Sequence, residues 1–331
     1  MAVATRRPAP GKNVLALDFA LRKERSLWGD AWRRLVRNKA AVLGMVMIVF
    51  FAALAVFAPL IAPHGPLEIY SNNAFRAPAW VHIAGDAAHT GDPSFLLGTD
   101  SLGRDVLSRL IYGTRTSMVV GLVPLIPTLL IGITVGMAAG YIGGRVDNLL
   151  MRFTDVVYAF PGLLFFVIMM TALRDTSFGK LLNGLFLLFI SLSLVAWVSV
   201  ARLVRGQVLS LKEKEFVEAA RMIGASDWCI MLRHLLPNSL GPIIVASAFM
   251  IPGSIMTEAI LGFLGLGLRP PTNPRAPFPT SWGSICLEGY AAINAQPWLL
   301  LAPAICIALI MLAFTFVGDG LRDALDPRMI E

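Results

Sequence analysis

The segment from Ser210 to Asn238 carries polar and small residues at spacings that suit a helix, a stop and a second helix. Glu215 to Ile223 is helix-forming, and Gly224 supplies the left-handed residue that ends such a helix. Ser226 is placed to cap the next turn, with Asp227 at its positive end and Pro237 to stop it before another apolar block. Ala219 and Ala220 leave a bare patch beside Glu218, where a second surface can approach closely and find a hydrogen-bond acceptor. Docking and the transmission of force are the chemistry on offer. Bond-making is not.

Other candidates are thinner. Glu258 is the ionisable group set deep in an apolar block, and such groups are functional candidates by default. It reads as a translocation-pathway or gate residue, with a structural hydrogen bond near the outer interface as the plainer role. His64, His82 and His89 share one loop, but their spacings of 18 and 7 match no compact metal motif. Cys229, Cys286 and Cys306 are isolated and read as inert thiols. No Ser/His/Asp order and no H-E-x-x-H occurs. The sequence also lacks G-x-x-x-x-G-K-[ST], since Gly11-Lys12 and Gly179-Lys180 are followed by Asn and Leu. No enzyme activity and no cofactor bound by this chain is therefore expected.

The elements that must position these groups are membrane helices. The chain has 331 residues, is 56% hydrophobic and has a mean hydropathy of +0.69. Its apolar residues are gathered into six blocks: Ala40–Ala62, Ser117–Tyr141, Val156–Leu173, Leu181–Ala201, Leu240–Leu268 and Trp298–Val317. At about 1.5 Å per residue each can cross a hydrocarbon core of about 30 Å. Backbone groups in lipid must be satisfied within the segment, so the fold class is an all-α integral membrane protein with six transmembrane helices. A barrel would need short alternating strands, and none is present.

Orientation follows from Lys and Arg. Ten precede Leu43, and with the N-terminus inside, 20 of the 28 fall on the cytoplasmic side. The positive-inside rule places both termini and the 206–238 loop in the cytoplasm. The +7 net charge follows from that bias and needs no nucleic acid. The apolar stretch near residue 40 is too long for a cleaved signal. Residues 1–25 read as disordered, and Ser26 to Lys39 as an amphipathic interfacial helix. There Trp28, Trp32, Leu35 and Val36 share one face, and Arg33, Arg34 and Arg37 lie around the other, within reach of lipid phosphates. The units are thus 1–39 (tail and interfacial helix), 40–318 (six-helix transmembrane domain) and 319–331 (cytoplasmic tail).

Two outer loops flank this bundle. In the first, Asp100 or Ser101 is placed to cap a short helix, and Arg104, Asp105 and Arg109 to pair locally across turns. In the other, Arg269 to Pro297, six prolines predict an extended or turn-rich path. Gly132, Gly136 and Gly140 form a stripe that suits close helix packing.

Glu218-Ala219-Ala220, three residues, Gly224, then nine residues to His234 and Leu235-Leu236-Pro237 resembles the EAA loop of bacterial binding-protein-dependent ABC importer permeases. The general pattern has an aliphatic residue at position 234, and His234 narrows the likeness to the peptide-importer branch. Leu97-Gly-Thr-Asp100 with Gly103 to Arg109, Leu264 to Gly267 with Pro270-Pro-Thr272 and Ser281-Trp-Gly283, and Gly318 to Pro327 are similar to further blocks of that branch. The segment Asn273 to Thr280 is longer than relatives usually carry.

The resemblance implies a type I ABC importer permease fold and the C-type subunit of a dipeptide/oligopeptide importer of the bacterial inner membrane. Its implied partners are a homologous B-type permease, two ABC ATPase subunits holding ATP and Mg, a periplasmic or lipid-anchored substrate-binding protein, membrane lipids and the peptide itself. Glu218, Ala219, Ala220, Gly224, Ser226, Asp227 and Pro237 would then couple the ATPases to the pathway. A nickel or other small-solute importer permease is the near alternative, and a secondary transporter the distant one. The latter would need more ion-coupling groups than Glu258.

Overall fold

The computed structural model of the protein describes residues 27–271, 273 and 276–325. The expected tail 1–25, Pro327 and part of the Asn273–Thr280 insertion lie outside the described residues.

The described chain is helical, with no strand among the described residues beyond one isolated pairing of Thr99 with Asp105. Its main helices are α1 (Leu27–Arg37), α2 (Lys39–Val56), α3 (Val106–Leu122), α4 (Leu125–Ile142), α5 (Gly144–Ala159), α6 (Gly162–Ala172), α7 (Leu185–Leu211), α8 (Glu215–Met222), α9 (Leu236–Phe263), α10 (Trp282–Ala291) and α11 (Trp298–Leu325). Five helical stretches of the described residues are long and apolar enough to cross a membrane, and α5 with α6, bent by 77°, makes a sixth.

Each departure from the expected spans has a local cause. The second helix starts at Val106, eleven residues before the apolar block, because the Asp105 carboxylate caps it by accepting from the Ser108 and Leu107 N–H groups. Asp105, not Asp100 or Ser101, is therefore the cap. The third span breaks at Phe160–Pro161, where proline has no N–H to give the ladder. The fourth begins at Leu185 rather than Leu181, because Leu182, Asn183 and Gly184 are left-handed at φ +49°, +58° and +97°. The sixth runs on to Leu325, so residues 319–325 of the expected tail are helical.

The glycine stripe does what its spacing predicts. A Cβ on Gly132 would fall 2.9 Å from the Trp197 carbonyl oxygen, and one on Gly140 would fall 2.8 Å from Val208 Cβ, so α4 and α7 touch backbone to backbone. Helix α1 divides its apolar residues. Leu35 is buried against Ala41 and Ala324, while Trp32 and Val36 stay exposed. Gly320 makes the room, since a side chain there would meet Leu35. Trp28's side chain lies outside the described set.

Candidate functional site: the coupling segment

The 206–238 segment folds as helix, break and helix. From the end of α7, Lys212 reaches across to donate to the Gly140 carbonyl at 3.2 Å. Helix α8 then runs from Glu215 to Met222. Gly224 is left-handed at φ +82°, with nothing within 4 Å of where a Cβ would sit. The Gly224 and Ala225 N–H groups donate back to the Arg221 and Ala220 carbonyls, each at 3.0 Å. These two bonds close the helix end as a left-handed stop requires. Ser226 caps the next turn by accepting from the Cys229 N–H at 3.3 Å. Asp227 accepts from the Tyr141 hydroxyl at 2.6 Å, and Arg221 lies over the same ring, which ties the segment to the end of α4.

The two alanines differ. Ala220 is buried with Val217, Ile230 and Leu235 in a cluster that also takes Val204, Val208 and Ile243. Ala219 and Glu218 are exposed. The bare patch is therefore Ala219 alone, and Ala220 is small because it seats α8 on the bundle. Beyond Ala219 the outward surface is apolar: Met222, Ile223 and Trp228 are 87%, 85% and 66% exposed. The EAA pattern does not contain these three. Their signal in the sequence is two apolar residues directly before the Gly224 stop, where no helix face remains to bury them.

Pro237 does not end the second helix. The chain is continuously helical from Asp227 to Phe263. Ile230 to Leu235 widens into a π-type turn, in which the Leu236 N–H donates to the Met231 carbonyl five residues back. A wide turn accommodates a ring that would otherwise clash with the carbonyl four residues earlier. The second arm of the loop and the fifth span are one rod.

The remaining candidates fall elsewhere. Glu258 is wholly buried inside this chain, and neither carboxylate oxygen has a hydrogen-bond partner among the described residues. One turn along, α10 sits close on α9, where a Cβ on Gly262 would lie 2.9 Å from Gly283 Cα. His64 pairs with Asp105 at 3.3 Å and His89 with Asp86 at 2.6 Å. Among the described residues no group of three or more His, Cys, Asp or Glu is arranged to hold a metal ion. Arg104 and Arg109 do not pair with Asp105, which is occupied as the cap. They meet Asp100 and, far along the chain, Glu288.

Residues 132–331 match the family described as binding-protein-dependent transport system inner membrane component. Residues 26–78 match the N-terminal TM domain of oligopeptide transport permease C. The chain is 40% identical over 304 residues to the oligopeptide transport system permease protein OppC of Haemophilus influenzae, covering 92% of this chain and 89% of that one. It is 38% identical to the dipeptide transport system permease protein DppC of Bacillus subtilis, covering 94% of this chain and 89% of the relative. Among solved structures, the inward-facing MetNI methionine ABC transporter superposes with a TM-score of 0.52 at 19% identity, over 66% of this chain and 97% of that one. That last likeness concerns the fold, which is that of an ABC importer permease.

Proposed function

Because the chain belongs to the family of binding-protein-dependent transport system inner membrane components, we propose that it is the C-type permease subunit of an ATP-driven importer of di- or oligopeptides. It is a multi-pass inner-membrane protein that works with another permease, ATPase subunits and a binding protein. In this reading the second permease is a homologue, and two ATPases hold ATP and Mg on the cytoplasmic side, where both termini also lie. A substrate-binding protein delivers peptide from outside. Helix α8 with the Gly224 stop and the Ser226 cap is the coupling element. Glu218 and Ala219 meet the ATPase, Asp227 ties the element to α4, Ala220 seats it on the bundle, and the helix that runs unbroken through Pro237 carries its motion into the fifth span.

The observation that carries the reading is the form of the coupling segment. An eight-residue helix is seated through Val217 and Ala220 between α7 and the helix that starts at Asp227, and together with the turn that follows it presents Ala219, Met222, Ile223 and Trp228 outward. Apolar side chains this exposed at a membrane protein's aqueous end call for a protein partner. A rigid helix fixed to two spans moves both when it is pushed.

The test is a cysteine at position 219 in the full complex assembled with the neighbouring permease and ATPase genes. Cross-links from that position should capture an ATPase subunit, and peptide uptake into vesicles should require ATP and both ATPases. Uptake by this chain alone, driven by an ion gradient, would sink the reading.

A further inference from the structure

Four charged side chains from two distant parts of the chain meet at the outer end of the bundle. Asp100 and Arg104 come from the segment that precedes α3, Arg109 from the first turn of α3, and Glu288 from α10. Arg104 donates through Nε to Asp100 Oδ2 at 2.7 Å and through Nη2 to Glu288 Oε2 at 2.8 Å. Arg109 donates through Nη2 to Glu288 Oε1 at 2.9 Å, and its Nη1 reaches both Asp100 and Glu288. Two cations and two anions leave no net charge. The Asp100 and Arg109 side chains are each only 3% exposed. Exposed ion pairs hold little together, but removing one member of a buried, multiply bonded set strands the others.

Helix α10, which carries Glu288, is tied further to α3 and packs closely on α9. Trp282 Nε1 donates to the Leu110 carbonyl at 3.1 Å, and Thr116 Oγ1 to the Thr280 carbonyl at 2.6 Å. Against α9 no side chain intervenes, since a Cβ on Gly283 would lie 2.7 Å from the Ala259 carbonyl oxygen. Whatever moves α10 moves the outer end of α9. The helix Asp227–Phe263 is 37 residues long, about 55 Å at the α-helical rise, and its inner end is the second arm of the coupling segment.

We propose that Glu288 is the positioning residue that clamps the outer segment to this rod, so that a binding protein docked outside is felt at α8 through α10 and α9. This rests on the proposed function for the existence of both partners and goes beyond it in assigning the route between them. The clamp does not touch peptide or nucleotide. It makes the outer segment, α3, α10 and α9 move as one body.

The test uses the full complex in lipid nanodiscs, with three readouts: basal ATP hydrolysis, binding-protein affinity, and the stimulation of hydrolysis by loaded binding protein. In Glu288→Gln, which keeps shape but leaves Arg104 and Arg109 to share Asp100 alone, basal hydrolysis and affinity are expected to persist while stimulation is lost. Arg104→Lys keeps the charge with fewer donors and should lose part of the stimulation; it carries the test if Glu288→Gln does not assemble. Full stimulation in the variants overturns the route, as does a loss of affinity that accounts for the loss of stimulation. Failure of the unmutated chain to bring down any ATPase would instead overturn the proposed function.

Discussion

Replacing Gly224 tests the coupling role with little confusion from packing. At φ +82° the residue is in the region where a side chain strains the backbone, yet no atom lies within 4 Å of a built Cβ. The whole cost of a substitution is therefore conformational. A left-handed alanine costs about 1 kcal/mol, a β-branched residue about 2 kcal/mol, and asparagine much less because its short polar side chain tolerates the region. Two kcal/mol shifts the balance between the intact stop and a rearranged one by about thirtyfold. Core packing and membrane insertion stay as they are, because Val217, Ala220 and Ile230 are untouched. In reconstituted complex, peptide imported per ATP hydrolysed should fall steeply in Gly224→Val, modestly in Gly224→Ala and hardly in Gly224→Asn. If valine and asparagine give the same ratio, the left-handed stop is not what transmits the stroke.

Three other expectations follow from particular environments. Ala220→Leu overpacks the cluster under α8 and should destabilise the chain by about 1–3 kcal/mol in a detergent melt, whereas Ala219→Leu should leave the melt unchanged and weaken ATPase co-purification. Burial pushes the Cys286 thiol up to about 11, with Glu258 nearby adding to it, so maleimide at about neutral pH should label partly exposed Cys229 and spare Cys286 until the protein is unfolded. The Ser94 N–H and hydroxyl, with Arg76 beside them, hold the Asp92 carboxyl below its ordinary range. A lowered carboxylate stabilises above the unfolded value of about 4 and ceases to as pH falls through its folded value, so Trp80 fluorescence should report loosening of the outer segment only below about pH 4, and Asp92→Asn should remove that step.

What was legible in the sequence was whatever local chemistry decides. Five of the six apolar blocks lie in helices long enough to span, and the third lies in the pair bent at Pro161, because lipid leaves the backbone no other partner. Gly224 and Ser226 became stop and cap because a left-handed residue and a capping hydroxyl act within a few residues. The misreadings share one cause. Arg104, Asp105 and Arg109 sit close enough to suggest pairing across turns, but Asp105 is spent as the cap, and the guanidinium groups meet Asp100 and, once α10 lies over α3, Glu288, 179 residues beyond Arg109. Ala219 and Ala220 look alike in the sequence, and only the seating of α8 on the bundle tells the outward alanine from the inward one.

Pro237 and Glu258 show how the two ends of the fifth helix escape a local reading. Proline after a polar turn predicts a stop, yet the stop is absorbed by the wide turn at Ile230–Leu235, and the helix gains a continuous link to the coupling segment. An acid inside an apolar block predicts a pathway group, and Glu258 lies wholly buried within this chain, beside the close glycine contact that seats α10. A helix broken at Pro237 would let α8 swing without moving the membrane half. A looser contact at Gly283 would let the outer end of α9 slip past α10. Both features remove slack from one rod, which is what a subunit must do if force applied at one membrane face is to act at the other.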